Sequence, residues 1–215
     1  MQTEQLKREV AKTLLSVKAV FLKPSEPFTW ASGIKSPIYC DNRLTLSYPT
    51  ARKVIENGLA AIIKRFYPDC EVVMGTSTAG IPHAAIVSEI LNLPMGYVRG
   101  DAKTHGRNNR IEGVPPVGKK VVVVEDLIST GGSSIEVVEA LREIGADVLG
   151  IASIFTYGLN KGIEKLAAAN VKNISLSDFC TLSKVALDEK YINEREYKMV
   201  CAFQSNPDDD SWTTL

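Results

Sequence analysis

The 215-residue chain is 45% hydrophobic and 23% charged, a length and balance that support one large globular domain with a sizeable core. It has 25 basic and 25 acidic residues, and the zero net charge argues against a general nucleic-acid-binding protein, which usually carries a basic excess. The sequence shows no secretory signal, no apolar run of ~18 residues and no CxxC pair among its four cysteines, so we expect a cytoplasmic protein with reduced thiols and no membrane contact.

The first predicted element is an amphipathic helix at residues 3–22, where apolar side chains recur at helical spacing. Residues 24–47 contain three prolines and several aromatic residues, a composition that predicts short strands and turns. Pro49 then begins a second helix, which extends to about Phe66, because proline suits the first turn of a helix.

Strands and helices alternate after that point. The predicted strands are 70–75, 93–99, 119–126 and 146–157, and the predicted helices are 81–92 and 133–145. The run KKVVVVED at 119–126 is apolar throughout its centre, as in a parallel strand covered on both faces. The alternation predicts an α/β fold with a doubly wound parallel sheet.

The rest of the chain is predicted to form helices near 161–169, 178–186 and 193–204, followed by a frayed tail. We therefore divide the chain into an N-terminal helix with short strands (1–48), an α/β core (49–160) and C-terminal helices with a tail (161–215). The first and third parts are expected to form a small hood over the core.

The stretch VVVVEDLISTGGSS, residues 121–134, predicts an anion site at the carboxyl end of a strand. Glu125 and Asp126 end the strand, residues 127–132 form a loop, and a helix begins at about Ser133. Loop N–H groups and a helix N-terminus favour bound anions, and Gly131 and Gly132 let the backbone approach one closely. Hydroxyl donors are supplied by Ser129, Thr130, Ser133 and Ser134.

The ligand predicted from these residues is a sugar phosphate. The chain has neither GxxxxGK[ST] nor GxGxxG, which excludes the two common nucleotide-phosphate loops. Two carboxylates beside the loop would repel a second phosphate but can accept hydrogen bonds from sugar hydroxyls. A plainer alternative is a strand that ends in solvated acids before a helix capped by Ser133 and Glu136 in a capping box.

Three segments carry a resemblance to a known family. VVVVEDLISTGGS resembles the fingerprint of the type I phosphoribosyltransferases, which bind phosphoribosyl pyrophosphate. FTWASGIKSPIYCDNR (28–43), with SG-x-KSP, and VRGDAKTHGRNNRIEG (98–113), with R-x-x-x-K-x-H-G, resemble segments of the orotate phosphoribosyltransferases. The resemblance implies the type I phosphoribosyltransferase fold and the joining of orotate to phosphoribosyl pyrophosphate, which yields orotidine 5′-monophosphate and pyrophosphate in pyrimidine biosynthesis. It also implies Mg²⁺ bound mainly through substrate and water, without a protein metal cluster.

The resemblance also implies roles for individual residues. The implied catalytic residues are Lys103, Glu125 and Asp126. The implied phosphoribosyl pyrophosphate contacts are Arg99, Lys103, His105, Glu125, Asp126, Leu127, Ile128, Ser129, Thr130, Gly131, Gly132 and Ser133. The implied orotate contacts are Ser129, Lys35 and Tyr39, although the sequence leaves open whether Lys35 is simply solvated. Some family members carry lysines where this chain has Ala31 and Ala79, and an arginine where it has Tyr157.

The basic loop at 99–113 is predicted to act as a lid. It holds Arg99, Lys103, His105, Arg107 and Arg110, together with three glycines. A mobile basic lid can close over pyrophosphate and exclude water, whereas the plainer alternative is a solvated loop. The resemblance implies a homodimer in which each lid serves the neighbouring subunit. It also implies that TSTAG, residues 76–80, is a pyrophosphate loop.

The sequence leaves two alternative functions to compare with this one. A phosphoribosyltransferase for another base would keep the fingerprint but lack the 28–43 segment. A regulator that senses phosphoribosyl pyrophosphate and binds nucleic acid would carry a basic face, which the zero net charge does not favour. We therefore predict the orotate enzyme, with phosphoribosyl pyrophosphate and orotate as its ligands and no nucleic-acid partner.

Overall fold

The structure, a computed structural model, describes residues 2–29, 33–100 and 110–215. Its helices are α1 (Gln2–Ser16), α2 (Pro49–Phe66), α3 (Gly80–Leu91), α4 (Gly132–Glu143), α5 (Asn160–Ala168), α6 (Phe179–Asp188) and α7 (Glu194–Ser205). Its strands are β1 (Val20–Leu22), β2 (Phe28–Thr29), β3 (Lys35–Ser36), β4 (Ile38–Cys40), β5 (Val72–Thr76), β6 (Met95–Val98), β7 (Ile111–Glu112), β8 (Lys120–Ile128), β9 (Asp147–Thr156) and β10 (Asn173–Asp178). Two short 3-10 helices span Asn42–Ser47 and Asp210–Thr214.

A six-stranded sheet forms the centre of the molecule, in the order β10-β9-β8-β5-β6-β7. Its pairs are parallel except for β6–β7, which is antiparallel. Alternate residues of β8 enter two different hydrophobic clusters: Val122 and Val124 pack with α2 and α3, whereas Val121 and Val123 pack with α4. Helices therefore cover both faces, and the predicted doubly wound sheet is confirmed.

The strand order reverses between β5 and β8. From β5 the chain adds β6 on one side, and it then returns to place β8 on the other. The connections that follow β5 and β8 therefore diverge at the carboxyl ends of these strands. Such a reversal opens the crevice in which doubly wound proteins bind ligands.

Residues from both chain ends pack beside the sheet. Strand β1 pairs with β4, and β2 pairs with β3, both antiparallel. Helix α1 lies against α6 and β10, where Lys7 Nζ is 2.7 Å from Asp178 Oδ2 and Arg8 Nη2 is 2.8 Å from Asp188 Oδ2. The predicted boundaries at residues 48 and 160 stay predictions, and β10 joins the sheet from beyond the second of them.

Two predicted elements were wrong in their extent. The first helix ends at Ser16, because Lys18 takes a left-handed conformation with φ of 57°. The N–H groups of Lys18 and Ala19 donate to the carbonyls of Leu15 and Leu14, which closes the helix as a Schellman motif. The second is the loop predicted at 127–132: Leu127 and Ile128 still belong to β8, and they pair with β9.

Strand β10 was not predicted from the sequence. Its polar residues obscure the apolar pattern, because Leu176 is its only fully buried apolar side chain and the other fully buried residue is Ser177. Polar side chains of β10 bond to the neighbouring strand β9. Ser153 Oγ on β9 contacts Asn173 Oδ1 at 2.9 Å and Ser175 Oγ at 2.7 Å.

Among the described residues, none of the helices combines the length and the apolar character that crossing a membrane requires.

Candidate active site

The predicted anion loop lies at the carboxyl end of β8, between that strand and α4. Gly131 caps α4 with φ of 74°, a left-handed conformation that suits glycine. No described side chain caps this helix, so the predicted capping box of Ser133 and Glu136 is wrong. A Cβ on Gly132 would project into open space. Because no described side chain accepts from them, the first N–H groups of α4 are available to an anion.

The buried carboxylate of Glu125 connects the elements that form the site. Its side chain is almost fully buried, and all three of its hydrogen bonds are to protein donors. Glu125 Oε1 accepts from Thr76 Oγ1 at 2.7 Å and from the N–H of Asp126 at 3.0 Å, while Oε2 accepts from Ser134 Oγ at 2.7 Å. This carboxylate links β5, β8 and α4. Ser134, which the sequence offered as an anion donor, is committed to Glu125.

Asp126 is the carboxylate that faces the crevice. Its backbone is held on both sides, because its N–H donates to Glu125 and its carbonyl oxygen accepts from Asn42 Nδ2 at 2.7 Å. Burial raises the pKa of Asp126 to about 7, and the nearby Glu125 carboxylate adds to that rise. Asp126 therefore gains or loses its charge near neutral pH.

A cavity of about 450 Å³ lies in front of Asp126. We call it the aspartate cavity, and it is lined by Cys40, Asp41, Arg43, Thr78, Ala79 and Asp126. Asp41 and Arg43 form an ion pair, in which Arg43 Nε is 2.7 Å from Asp41 Oδ1. The hydrogen bonds from Arg43 hold the pKa of Asp41 below its ordinary value, whereas burial raises the pKa of the Cys40 thiol.

The TSTAG segment supplies one wall of the aspartate cavity. Thr76 ends β5, Thr78 and Ala79 line the cavity, and the Ser77–Thr78 peptide bond is cis. Ser77 Oγ donates to the carbonyl of Val98 at 2.5 Å, which ties this segment to β6. A Cβ on Gly80 would collide with the carbonyl of Val124 and with Thr76 Oγ1, so only glycine permits this close approach of α3 to the sheet.

A second cavity, of about 440 Å³, lies beside the end of the anion loop. We call it the serine cavity, and it is lined by Ile34, Ser129, Thr130, Leu159, Asn160, Lys161, Gln204, Ser205, Asn206, Pro207 and Asp208. It brings Ser129 and Thr130 together with one residue of the 28–43 segment. The C-terminal residues that close it were not expected at the site, because no motif marks them.

The other predicted orotate residues lie at the surface. Lys35 is exposed, and Tyr39 is 43% exposed with its ring centroid 5.6 Å from that of Phe28. Tyr157, where some family members carry arginine, is buried and packs edge-on against Phe155 and Phe179. Burial raises the pKa of its hydroxyl, which keeps Tyr157 neutral.

Of the predicted lid, only the two ends are described. Arg99 Nη1 is 3.4 Å from Glu112 Oε1, and Arg110 donates from Nε to the carbonyl of Arg99 at 3.0 Å. Arg110 Nη2 also lies 3.9 Å from Glu136 Oε2. Lys103, His105 and Arg107 lie outside the described residues, as does Ala31.

The other predicted ligand contacts of the loop differ in the exposure of their side chains. Ser133 is exposed, and Leu127 is half-buried. The side chain of Ile128 is 2% exposed and belongs to the core, so only its backbone can serve a ligand. Within the described ranges, no group of three or more His, Cys, Asp or Glu side chains is arranged to hold a metal ion.

Comparisons with known proteins agree with this geometry. Residues 51–189 match the family model of the phosphoribosyl transferase domain. Over 209 residues the chain is 59% identical to an orotate phosphoribosyltransferase of Bacillus cytotoxicus, covering 97% of this chain and 100% of that protein. An orotate phosphoribosyltransferase structure from Aeropyrum pernix matches with a TM-score of 0.73 at 31% identity, over 86% of this chain and 99% of that one. A UMP synthase from Leishmania donovani matches with a TM-score of 0.79 at 27% identity, over 93% of this chain and 42% of that longer one.

The fold is that of the phosphoribosyltransferase class. Within this class, the chain belongs to the orotate phosphoribosyltransferase family. The predicted family, fold class and enzyme class are confirmed. The roles of individual residues stay predictions.

Proposed function

We propose that this chain transfers the phosphoribosyl group of phosphoribosyl pyrophosphate to orotate, with release of pyrophosphate, as a step of pyrimidine biosynthesis in the cytoplasm. The observation that carries the proposal is the position of Asp126. It faces the aspartate cavity at the point where the strand order reverses, and the N-terminus of α4, which no described side chain caps, lies directly after its strand. A carboxylate next to an anion site is what a ribose phosphate requires.

The loop from Thr130 to Ser133 would bind the 5′-phosphate. Gly131 and Gly132 bring the backbone close, and the N-terminus of α4 contributes partial positive charge. Asp126 would then accept hydrogen bonds from the ribose hydroxyls in the aspartate cavity. For Glu125 we propose the positioning of Asp126, because three protein donors already bond to its carboxylate, and its predicted contact with ribose stays a prediction.

The serine cavity would hold the orotate ring. Ser129 can donate a hydrogen bond to a ring substituent, and Ile34 supplies an apolar wall. Lys35 and Tyr39 remain proposed orotate contacts, although neither lines this cavity. The nucleophile is N1 of orotate, and no covalent enzyme intermediate is required.

Charge develops at both ends of the breaking bond. As the bond from ribose C1 to pyrophosphate lengthens, the ribose ring gains positive charge and the leaving group gains negative charge. The ionised Asp126 carboxylate stabilises the ribose, and Arg99, Lys103 and His105 would stabilise pyrophosphate. In this scheme the protein contributes fixed charges rather than bond-forming groups.

Magnesium fits this cavity as a substrate-bound ion. The carboxylates of Asp41 and Asp126 both line it, and oxygen atoms are the ligands that magnesium prefers. Asp41 is engaged by Arg43, so Asp126, water and the substrate oxygens would be the main donors. When bound, the ion would neutralise part of the pyrophosphate charge.

Turnover of orotate tests the proposal directly. Loss of orotate absorbance would be followed with phosphoribosyl pyrophosphate and Mg²⁺, with adenine, hypoxanthine and uracil tested in parallel. Turnover that depends on orotate alone is the expected result. Turnover with another base instead would replace the proposed substrate, and binding of phosphoribosyl pyrophosphate without turnover on any base would favour a regulator.

The homodimer with a shared lid at 99–113 is part of the same proposal. It can be tested by mixing two inactive variants, Lys103→Ala in the lid and Asp126→Asn in the core. If each lid serves its neighbour, random pairing restores about a quarter of the wild-type sites. If each lid serves its own subunit, the mixture stays inactive.

A further inference from the structure

Asp41 and Arg43 line the aspartate cavity, and Asn42 lies between them in the chain, although no role was predicted for these three residues. Asn42 is fully buried, and its Nδ2 donates to the carbonyl of Asp126 at 2.7 Å. This hydrogen bond joins residues that are 84 positions apart in the chain. It fixes the segment against β8 at the residue that faces the crevice, so Arg43 stands at a set place relative to Asp126.

Arg43 is oriented by its neighbour. Asp41 Oδ1 accepts from the backbone N–H of Arg43 at 3.2 Å and from its Nε at 2.7 Å, and Asp41 Oδ2 accepts from Nη2 at 2.8 Å. A guanidinium has five N–H donors, so this bidentate pair uses two of them and leaves the Nη1 edge for another acceptor. Most of the Arg43 side chain is exposed to solvent, whereas that of Asp41 is largely buried.

The aspartate cavity needs such a cation. Asp41 and Asp126 place two carboxylates in its lining, and the proposed substrate adds a polyanionic pyrophosphate. Of the described residues that line it, Arg43 alone carries positive charge. Ala79 lies in the same lining and offers only a methyl group, so the side chain at that position cannot bind phosphate.

We propose that Arg43, oriented by Asp41 and positioned by Asn42, binds the pyrophosphate group of phosphoribosyl pyrophosphate. The inference rests on the proposed function, since it takes phosphoribosyl pyrophosphate as the substrate. Arg43 is a binding residue that touches the leaving group, and Asp41 and Asn42 are positioning residues. The free Nη1 edge matches the paired oxygens of a phosphate.

The test is kinetic and uses Arg43→Ala. We expect the KM for phosphoribosyl pyrophosphate and the inhibition constant of pyrophosphate to rise about tenfold or more, as for loss of a charged hydrogen bond. The KM for orotate should stay within about twofold, since the serine cavity does not include Arg43. Arg43→Lys should recover part of the loss, because it keeps the charge and loses the bidentate fork.

Arg8→Ala is the matched control. Arg8 also forms an exposed pair with an aspartate, Asp188, but lies on α1 outside both cavities. Asp41→Asn should give a smaller rise than Arg43→Ala, because the guanidinium remains but loses its orientation. Unchanged constants for both phosphoribosyl pyrophosphate and pyrophosphate in a folded Arg43→Ala protein would overturn the inference.

Calorimetry separates this inference from the proposed function. Binding of phosphoribosyl pyrophosphate with Mg²⁺ and without any base is measured for the wild type, Arg43→Ala and Arg43→Gln. Weaker binding in both variants supports the role of Arg43 even if the wild type uses a base other than orotate. Equal binding in either folded variant contradicts it, whatever base the enzyme accepts.

Discussion

The aspartate cavity and the serine cavity are nearly equal in volume, about 450 and 440 Å³, but their linings differ. Charged side chains dominate the first, whereas hydroxyl, amide and apolar groups dominate the second. The first suits a reacting centre where charge develops, and the second suits a flat base that must be selected. One crevice therefore separates the electrostatics of the reaction from the recognition of the base.

The largest effect is expected at the aspartate cavity. Asp126→Asn should lower kcat/KM about a hundredfold or more, because an amide cannot stabilise positive charge on the ribose. Steady-state kinetics measure the loss. The control is Asp69→Asn, since Asp69 pairs with Lys120 at the opposite end of the sheet. Wild-type kinetics for Asp126→Asn would show that the Asp126 carboxylate does not stabilise the ribose during the reaction.

The lid prediction concerns the same cavity. Lys103→Ala should lower turnover by about a hundredfold or more, as is typical when a transition-state contact is lost. Lys119→Ala serves as the control, because Lys119 pairs with Glu71 away from the site. Turnover that does not change would exclude the lid from the reaction.

Glu125 should matter for stability as well as for activity. Glu125→Gln leaves one of three buried donors without a matching acceptor, so we expect a loss of about 2 kcal/mol in the free energy of unfolding. Denaturant unfolding measures it. Thr76→Val removes only one of these hydrogen bonds and should cost about half as much. Equal stability of all three proteins would show that the buried network is not needed for the fold.

The raised pKa of Asp126 predicts a pH dependence for the aspartate cavity. Because the ionised form is active, kcat/KM should fall as the pH drops through about 7 and be about tenfold lower at pH 6 than on the plateau. The Asp126→Asn profile reports the titration of the substrates themselves and is the reference. An identical profile in the wild type and in this variant would assign the dependence to the substrates alone.

The smallest effect is expected at the serine cavity. Ser129→Ala should raise the KM for orotate about fivefold, with little change for phosphoribosyl pyrophosphate, since a neutral hydrogen bond contributes about 1 kcal/mol. Ser16→Ala is a control at the end of α1. A rise in the KM for phosphoribosyl pyrophosphate instead would move Ser129 from base recognition to phosphate binding.

Local patterns in the sequence were enough to predict four of the six strands of the central sheet, β5, β6, β8 and β9. Four consecutive valines before two acids indicate a buried parallel strand, and the small residues after them indicate a phosphate loop. The spacing of apolar residues within a strand or helix repeats every few positions, so this pattern is visible in a short stretch of sequence. The three motifs added the family.

The tertiary structure decided which partners these residues have. Glu125 and Asp126 are adjacent in sequence, but only the fold shows that Glu125 bonds inward to Thr76 and Ser134 while Asp126 faces the cavity. Strand β10 takes its place by packing beside β9, although its own sequence is largely polar. The hydrogen bond from Asn42 to Asp126 joins segments far apart in the chain. Such contacts depend on the final packing of the whole chain, and the spacing of residues in the sequence does not record them.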